Sequence, residues 1–327
     1  MNILGQDKQT AYLADLVQSG RVAGAFLFSG PDGVGKKLAA FELAKALNCQ
    51  RPLQGRACGE CASCVAIDKQ LHPDVTLIDF AYQAYLKMKG DPSDKDYAEE
   101  FEELLSKQQH LLVDTIRSAT NKSQQTAVRN GWKVLIVDQA QTMERSAANA
   151  LLKFIEEPAA KTVWILLTSK RSAMLPTILS RCRSVVFSAL PEETVAQILT
   201  ENNLPVEDAA LAAKYSGGSV SQALAADKAL SLLQSGEFNT PQGAAQIAGA
   251  LPRTMAAARR EAQAVLDVLS LLLYRAWKTQ TDVARQQEFQ QRLNRLETYK
   301  KAIGRNVAPA LVLETALMGL DGTNLSL

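Results

Sequence analysis

One segment decides the fold of this chain: Gly30-Pro31-Asp32-Gly33-Val34-Gly35-Lys36-Lys37, between the apolar run Ala25–Phe28 and a helical pattern at Leu38–Leu47. It matches the phosphate-loop pattern G-x-x-x-x-G-K, whose backbone N–H groups surround phosphates while the lysine reaches the outer ones. The pattern normally ends in Ser or Thr, whose hydroxyl holds Mg²⁺, but here it ends in Lys37. The alternative is a strand-to-helix turn that binds nothing. The position between strand and helix favours a phosphate loop. Because of Lys37, whether a nucleotide binds there stays open.

A second apolar run, Val134–Val137, ends in Asp138, which is typical of a strand whose terminal carboxylate orients Mg²⁺. Many hydrolysing proteins place Glu next, whereas Gln139 stands here, and an amide cannot act as a general base. A core strand capped by Asp is the simpler alternative. We predict a degenerate nucleotide site with little or no hydrolysis and with ATP and Mg²⁺ binding in doubt, built from Gly30, Gly33, Gly35, Lys36, Lys37 and Asp138.

Strand and helix patterns alternate up to Phe187, which predicts a parallel sheet covered on both faces. Beyond Phe187 the patterns are helical. We therefore predict an α/β phosphate-loop domain over residues 1–188 and helical domains over 189–236 and 237–327, separated by the turn residues Gly236, Asn239, Pro241 and Gly243. The five predicted strands are Ala25–Phe28, Val75–Ile78, Val134–Val137, Val163–Leu167 and Val185–Phe187.

Residues 79–109 are rich in acidic side chains, with Gly90 and Pro92 as breakers. We predict a solvated insertion, part loop and part helix, because charge runs usually face water. An acidic arm that binds a partner is the alternative. The acidic residues are Asp91, Asp94, Asp96, Glu99, Glu100, Glu102 and Glu103.

Four cysteines, Cys49, Cys58, Cys61 and Cys64, lie within residues 49–64, and two of their spacings are C-x2-C. Such spacing is typical of tetrahedral Zn²⁺ sites, and four sulfur ligands leave no position for water. We predict a structural Zn²⁺ ion; an Fe–S cluster and four free thiols are the alternatives.

The bulk composition excludes some classes of protein. Among 327 residues, 47% are hydrophobic and 21% are charged, as in soluble globular proteins. A net charge of +2 is too small for nucleic-acid binding by overall charge. No export signal is recognised at the first residues, and the most apolar window, Val265–Tyr274, is too short to span a bilayer. We expect a cytoplasmic protein without membrane contact.

Near the last predicted strand, Ser180-Arg181-Cys182 places an arginine at the end of the sheet. Such an arginine is either a plain surface residue or a finger that reaches the phosphates of a neighbouring subunit. Alone, this motif does not distinguish the two.

Taken in order, these motifs resemble the clamp-loader subunits of bacterial DNA polymerase III, and among them the delta-prime type. The resemblance covers nearly the whole chain. It rests on Ile3-Leu4-Gly5-Gln6, Phe26–Pro31, the four cysteines, His72-Pro73-Asp74, Ala148–Lys153 with Glu157-Pro158, Ser180-Arg181-Cys182, and Asn306-Val307 with Leu311, Glu314 and Leu317.

The resemblance implies an AAA+ domain with a five-stranded parallel sheet, a small helical lid domain and a C-terminal helical collar domain for oligomerisation. It implies that Arg181 acts in trans on a neighbouring ATPase subunit. Implied partners are gamma/tau-like ATPase subunits, a delta-like subunit and, through the complex, the sliding clamp and primer–template DNA. The family's ATPase members carry Ser/Thr, Asp-Glu and a later Arg where this chain has Lys37, Gln139 and Gly218–Ser221 without Arg.

Two other functions stay open. The first is an ATP-hydrolysing, gamma/tau-like clamp-loader subunit of the same fold. The second is an autonomous zinc-knuckle protein that binds nucleic acid, for which the charges Arg51, Arg56 and Glu60 give little support.

Overall fold

The residues divide into two units, Met1–Ala189 and Leu190–Leu327. The computed structural model describes residues 3–88, 97–125, 127–128, 131–234, 238, 240–303 and 307–320. The sequence placed the first domain boundary at residue 188. Its second boundary, at Gly236 and Asn239, lies outside the described residues, as does Asn306 of the closing motif.

The first unit is built around a sheet that has five strands among the described residues, in the order β2-β3-β4-β1-β5. Each neighbouring pair is parallel. The predicted α/β class with a five-stranded parallel sheet is therefore confirmed. The strands are β1 Ala25–Ser29, β2 Val75–Ile78, β3 Lys133–Val137, β4 Thr162–Thr168 and β5 Arg183–Val186.

Alternate residues of the central strands bury opposite faces of the sheet. In β1, Phe26 and Phe28 pack into one hydrophobic core, and Leu27 packs into the other. In β4, Ile165 and Leu166 divide in the same way. Since both faces of the central strands β1, β3 and β4 are buried, these strands are mostly apolar, which is why the sequence located them well.

Helices cover both faces of this sheet. Residues of α1, α2 and α3 enter the core with Phe26, and residues of α6, α7 and α8 enter the core with Leu27. Two short 3₁₀ helices, Ala140–Thr142 and Arg171–Ala173, follow β3 and β4. The α-helices of the unit are α1 Asp7–Gln18, α2 Lys36–Asn48, α3 Ala62–Asp68, α4 Phe80–Lys87, α5 Tyr97–Ser106, α6 Val113–Gln124, α7 Arg145–Glu156 and α8 Pro176–Leu179.

The acidic stretch holds two of these helices. Asp79 begins α4 because its Oδ1 accepts a hydrogen bond from the backbone N–H of Tyr82, at 2.9 Å. None of the α5 residues is buried, so the acidic side chains of this helix are solvated as predicted. The predicted breakers Gly90 and Pro92, and the acidic residues Asp91, Asp94 and Asp96, lie outside the described part of the chain.

All regular elements described in the second unit are helices. One core joins α9, α10 and the start of α11 through Val195, Leu199 and Ala223. A larger core joins the rest of α11 to α12, α13, α14 and α15. Since α11 packs into both cores, the division into lid and collar domains stays a prediction. The helices are α9 Glu192–Glu201, α10 Ala209–Lys214, α11 Val220–Gln234, α12 Pro241–Gly249, α13 Met255–Thr279, α14 Val283–Ile303 and α15 Pro309–Met318.

The cysteine-rich loop between α2 and α3 packs tightly on α1 at one glycine. Gly55 has φ +73°, and a Cβ there would lie 1.9 Å from the backbone oxygen of Ala14. Gly59, in the same loop, has φ +78°, but a Cβ there would meet nothing within 4 Å. The two glycines therefore share a left-handed conformation and differ in their surroundings.

This pair gives a matched test of the packing between the loop and α1. We expect Gly59→Ala to lower the free energy of unfolding by about 1–2 kcal/mol, because Ala is strained at positive φ. Gly55→Ala adds a clash with backbone and should cost about 1–3 kcal/mol more. Urea unfolding followed by circular dichroism measures both variants. Equal losses would contradict the close packing at Gly55.

Candidate functional site

The predicted phosphate loop lies between β1 and α2, as the sequence indicated. Gly30 passes so close to Phe187 that a Cβ would lie 2.2 Å from the Phe187 carbonyl oxygen. Gly35 precedes α2 at φ +96°, a left-handed conformation that glycine adopts without strain. Gly33 lies between them in the same loop. The loop thus has a backbone that larger residues at Gly30 and Gly35 would disturb.

Lys36 is buried and turned back onto its own loop. Its Nζ donates hydrogen bonds to the carbonyl oxygens of Gly30, at 2.7 Å, and Pro31, and lies 3.7 Å from Asp32 Oδ1. Burial lowers the pKa of Lys36, and the nearby carboxylates of Asp32 and Asp138 oppose that shift. A buried, positively charged side chain at the N-terminus of a helix favours the binding of an anion, as the phosphate-loop pattern implies.

Lys37 makes the most informative contact in the loop. Its Nζ lies 3.1 Å from Asp138 Oδ2 and 3.9 Å from Asp79 Oδ2. The structure therefore brings the predicted residues Lys37 and Asp138 together across the carboxyl edge of the sheet. The side chain that replaces the usual hydroxyl is a cation facing two carboxylates.

Asp79 is a site residue that the sequence interpretation missed. It follows β2 directly, just as Asp138 follows β3, and β2 and β3 are parallel neighbours. Strands that run parallel end at the same edge of a sheet, so a carboxylate after each strand was the available signal. From the sequence, Asp79 only marks the start of the acidic insertion.

Gln139 stands where hydrolysing relatives of this fold often carry a general base. It has φ +48°, and its backbone N–H donates to Asp138 Oδ1 at 2.9 Å. An amide side chain at this place cannot take a proton from water.

The four predicted cysteine ligands come together in space. Their sulfur atoms all lie within 4.8 Å of one another. The Cys61–Cys64 and Cys49–Cys61 sulfur separations are 3.4 and 4.0 Å. These values bracket the ~3.8 Å edge expected of a tetrahedron with Zn–S bonds of about 2.3 Å. The cluster could therefore hold a metal ion.

Hydrogen bonds to these sulfur atoms also suit thiolate ligands. The backbone N–H groups of Arg51 and Cys58 donate to Cys49, and that of Cys61 donates to Cys58. Burial opposes ionisation of Cys61, but N–H donors and neighbouring thiols bring its pKa to about 6. Burial raises the pKa of Cys64 to about 12. A bound cation would favour the thiolate at all four positions.

Arg181 lies between α8 and β5, at the opposite edge of the sheet from the phosphate loop. Its guanidinium forms an ion pair with Glu156 and donates to the Thr177 carbonyl oxygen at 3.1 Å. Arg183 pairs with Phe26 in β1, four strand residues before Gly30, so the two edges lie roughly 13 Å apart. Arg181 is therefore not part of the site around its own Lys36.

The fifth cysteine, Cys182, is buried beside Arg181. Burial raises its pKa to about 12, so it carries a neutral thiol at physiological pH.

Within the described ranges of the chain, no helix has the length and apolar character needed to cross a membrane.

Comparison with known proteins relates this chain to bacterial replication proteins. A family model described as "DNA polymerase III, delta subunit" matches residues 5–191. The DNA polymerase III subunit delta' of Pseudomonas aeruginosa is 35% identical over 174 residues, which cover 53% of this chain and 46% of that protein. The subunit gamma/tau of Mycobacterium bovis is 31% identical over 223 residues, which cover 66% of this chain and 34% of that protein. The chain thus spans about half the length of the first relative and about a third of the second.

A solved structure with a similar fold is a DNA polymerase III gamma subunit-related protein from Thermotoga maritima. It has a TM-score of 0.52 and 18% sequence identity, with 95% of this chain and 97% of that chain covered. At this identity the likeness concerns the fold alone.

Proposed function

The chain belongs to the DNA polymerase III delta subunit family, and from this premise we propose that it is a delta-prime-type clamp-loader subunit. In this role it assists ATP-driven loading of a sliding clamp on primed DNA and hydrolyses little or no ATP itself. The observation that carries the proposal is the contact between Lys37 Nζ and Asp138 Oδ2 at 3.1 Å.

This contact argues against hydrolysis at the chain's own loop. In phosphate-loop NTPases, a Ser or Thr hydroxyl and a strand-terminal Asp together hold Mg²⁺. Here the hydroxyl is missing, and the carboxylate that would remain is paired with an ammonium group. Gln139 adds a second loss, since it cannot act as a base. Both departures favour a subunit that acts on its neighbours.

An ATP-hydrolysing, gamma/tau-like subunit is the second candidate. Its support is the 31% identity to a gamma/tau subunit, which extends over more of this chain than the match to delta' does. Overall sequence similarity reports the shared fold and gives no special importance to Lys37 and Gln139, the two site residues on which hydrolysis depends. We therefore place it second.

Within a loader, the proposed role of Arg181 is in trans. It is partly exposed, and its only acidic partner among the described ion pairs is Glu156. A planar guanidinium at the amino edge of the sheet, away from its own loop, is suited to reach the phosphates of an adjacent ATPase subunit. An arginine finger of this kind contributes about 10³–10⁵ in rate, enough to make hydrolysis depend on assembly.

The remaining parts of the chain fit an assembly protein. We propose that the cysteine cluster holds a structural Zn²⁺ ion, since its four sulfur ligands leave no open coordination position. The helical second unit would supply the lid and collar domains that join gamma/tau-like and delta-like subunits in a ring. Contact with the clamp and with primer–template DNA would then occur through the complex.

We expect one Zn²⁺ ion per chain in freshly purified protein, held by the four-cysteine cluster. Cys58→Ser should reduce the zinc content below about half an equivalent and lower stability, because binding energy at a closed site is folding energy. Elemental analysis and urea unfolding measure the two effects. Cys182→Ser, outside the cluster, is the control and should keep its zinc. Equal zinc in both variants would contradict the site.

The isolated chain should show no ATP turnover above background, because Lys37 replaces a Mg²⁺ ligand and Gln139 replaces a base. A coupled assay with Mg²⁺ and ATP measures this directly. Steady turnover that disappears in Lys36→Ala would overturn the proposal and favour the ATPase candidate.

Arg181→Ala should leave folding and complex assembly nearly intact while DNA- and clamp-stimulated ATPase activity of the reconstituted loader falls by at least about ten-fold. Lys at this position should restore little activity, because it lacks the planar fork. The matched control is Arg117→Ala, which removes another exposed arginine with a local acidic partner, Asp114. An Arg181→Ala loader that assembles and hydrolyses at the wild-type rate would show that Arg181 has no role in trans.

A further inference from the structure

Two carboxylates at the carboxyl edge of the sheet share a single facing cation among the described ion pairs, the ammonium group of Lys37. Asp138 follows β3, and Asp79 follows its neighbour β2. Their side chains are three-quarters buried, with 23% and 25% of their surface exposed. Such partly desolvated carboxylates require a counter-charge.

In each carboxylate, one oxygen accepts a backbone hydrogen bond and the other faces Lys37. Asp138 Oδ1 accepts the backbone N–H of Gln139 at 2.9 Å, and Oδ2 faces Lys37. Asp79 Oδ1 accepts the backbone N–H of Tyr82 at 2.9 Å, and Oδ2 faces Lys37. The backbone therefore fixes both groups so that one oxygen of each points to the same place.

Mg²⁺ does not fit this site together with Lys37. The ion requires oxygen ligands at about 2.0–2.1 Å in an octahedral arrangement. An ammonium group 3.1 Å from Asp138 Oδ2 lies where such an ion would have to sit, and it offers no lone pair. Lys36 lies near enough to Asp138 for an electrostatic interaction, but it forms no described ion pair with either carboxylate, since its Nζ is bonded to the carbonyl oxygens of its own loop.

We infer that Asp79 and Asp138 form a divalent-cation site in which Lys37 is the resident cation, so that the chain excludes the metal its fold would otherwise hold. This inference rests on the proposed degenerate nucleotide site and adds a cause for its failure to bind metal. The two carboxylate ligands are present, but the ammonium group of Lys37 occupies the position of the metal. Removing the ammonium group alone should expose the two carboxylates to a divalent cation.

The test uses Mn²⁺ as a paramagnetic probe of the full, zinc-loaded chain. Soft thiolates at the cysteine cluster do not attract this ion, whereas carboxylates do. Mn²⁺ broadens the NMR signals of nearby amides, and the amides of Tyr82 and Gln139 bond to the two carboxylates. Amides of the exposed acidic helix α5 provide an internal reference, because they meet Mn²⁺ equally in every variant.

For Lys37→Met and Lys37→Thr, we expect the Tyr82 and Gln139 amides to broaden at Mn²⁺ concentrations about ten-fold lower than in wild type, because a like charge has been removed. Lys37→Arg keeps the charge and should match wild type. The matched control is Lys228→Thr, which removes an exposed lysine in the other unit. Unchanged signals elsewhere in each spectrum verify that the variant is folded.

Two results would overturn the inference. The first is that the wild-type amides broaden at the same Mn²⁺ concentration as those of Lys37→Met. The second is that Lys37→Thr becomes more sensitive to Mn²⁺ than wild type while Lys37→Met does not. The second result would mean that a hydroxyl ligand, not the ammonium group, decides metal binding. Neither result bears on Arg181, which lies at the other edge of the sheet. ATP turnover by the isolated chain would instead overturn the proposed function, independently of the Mn²⁺ broadening measured here.

Discussion

The ion pair between Lys37 and Asp138 depends on one constraint: all neighbouring strands of the sheet are parallel. The two residues are 101 positions apart in the chain, yet each follows the carboxyl end of a strand or the loop after it. Parallel strands bring those ends to a single edge, where loops and helix N-termini collect charge. The same geometry adds Asp79 from a third strand and leaves Arg181 at the opposite edge. Lys37 thus pairs with the carboxylates at the carboxyl edge, while Arg181 at the amino edge pairs with Glu156 and stays partly exposed.

Much of the first unit could be predicted because its central strands are buried on both faces. The run predicted at Val134–Val137 forms β3 at Lys133–Val137, and the run predicted at Val163–Leu167 forms β4 at Thr162–Thr168. Helices such as α3 and α8 were not predicted. α3 has seven residues and begins at a cysteine of the cluster, and α8 has four, so neither carries a full apolar period. A carboxylate after each of two predicted strands hinted at Asp79, but its contact with Lys37 depends on β2 and β3 being neighbours, which the sequence does not show.

Helix α2 links the two candidate sites mechanically. It begins at Lys36 in the phosphate loop and ends at Asn48, and Cys49 of the cluster caps it. Within the described residues, buried Lys45 joins α2 to α3 through Asp68 at 2.9 Å and also contacts Glu42 at 2.6 Å. Asp68 is about half exposed, so this ion pair contributes less than a fully buried one would, but it still connects the two helices. A structural ion at the cysteines would therefore support the helix that carries Lys36 and Lys37, which agrees with the rigid, non-hydrolysing role proposed above.

In the proposed loader, a neighbouring subunit would complete each nucleotide site. The most direct measurement is ATP hydrolysis by a reconstituted loader in which every other subunit carries a substituted phosphate-loop lysine. This chain then holds the only unaltered loop. Our account predicts no turnover above background, with or without clamp and primed DNA, because Lys37 holds the metal position and Gln139 offers no base. Turnover that depends on Lys36 of this chain would contradict the account.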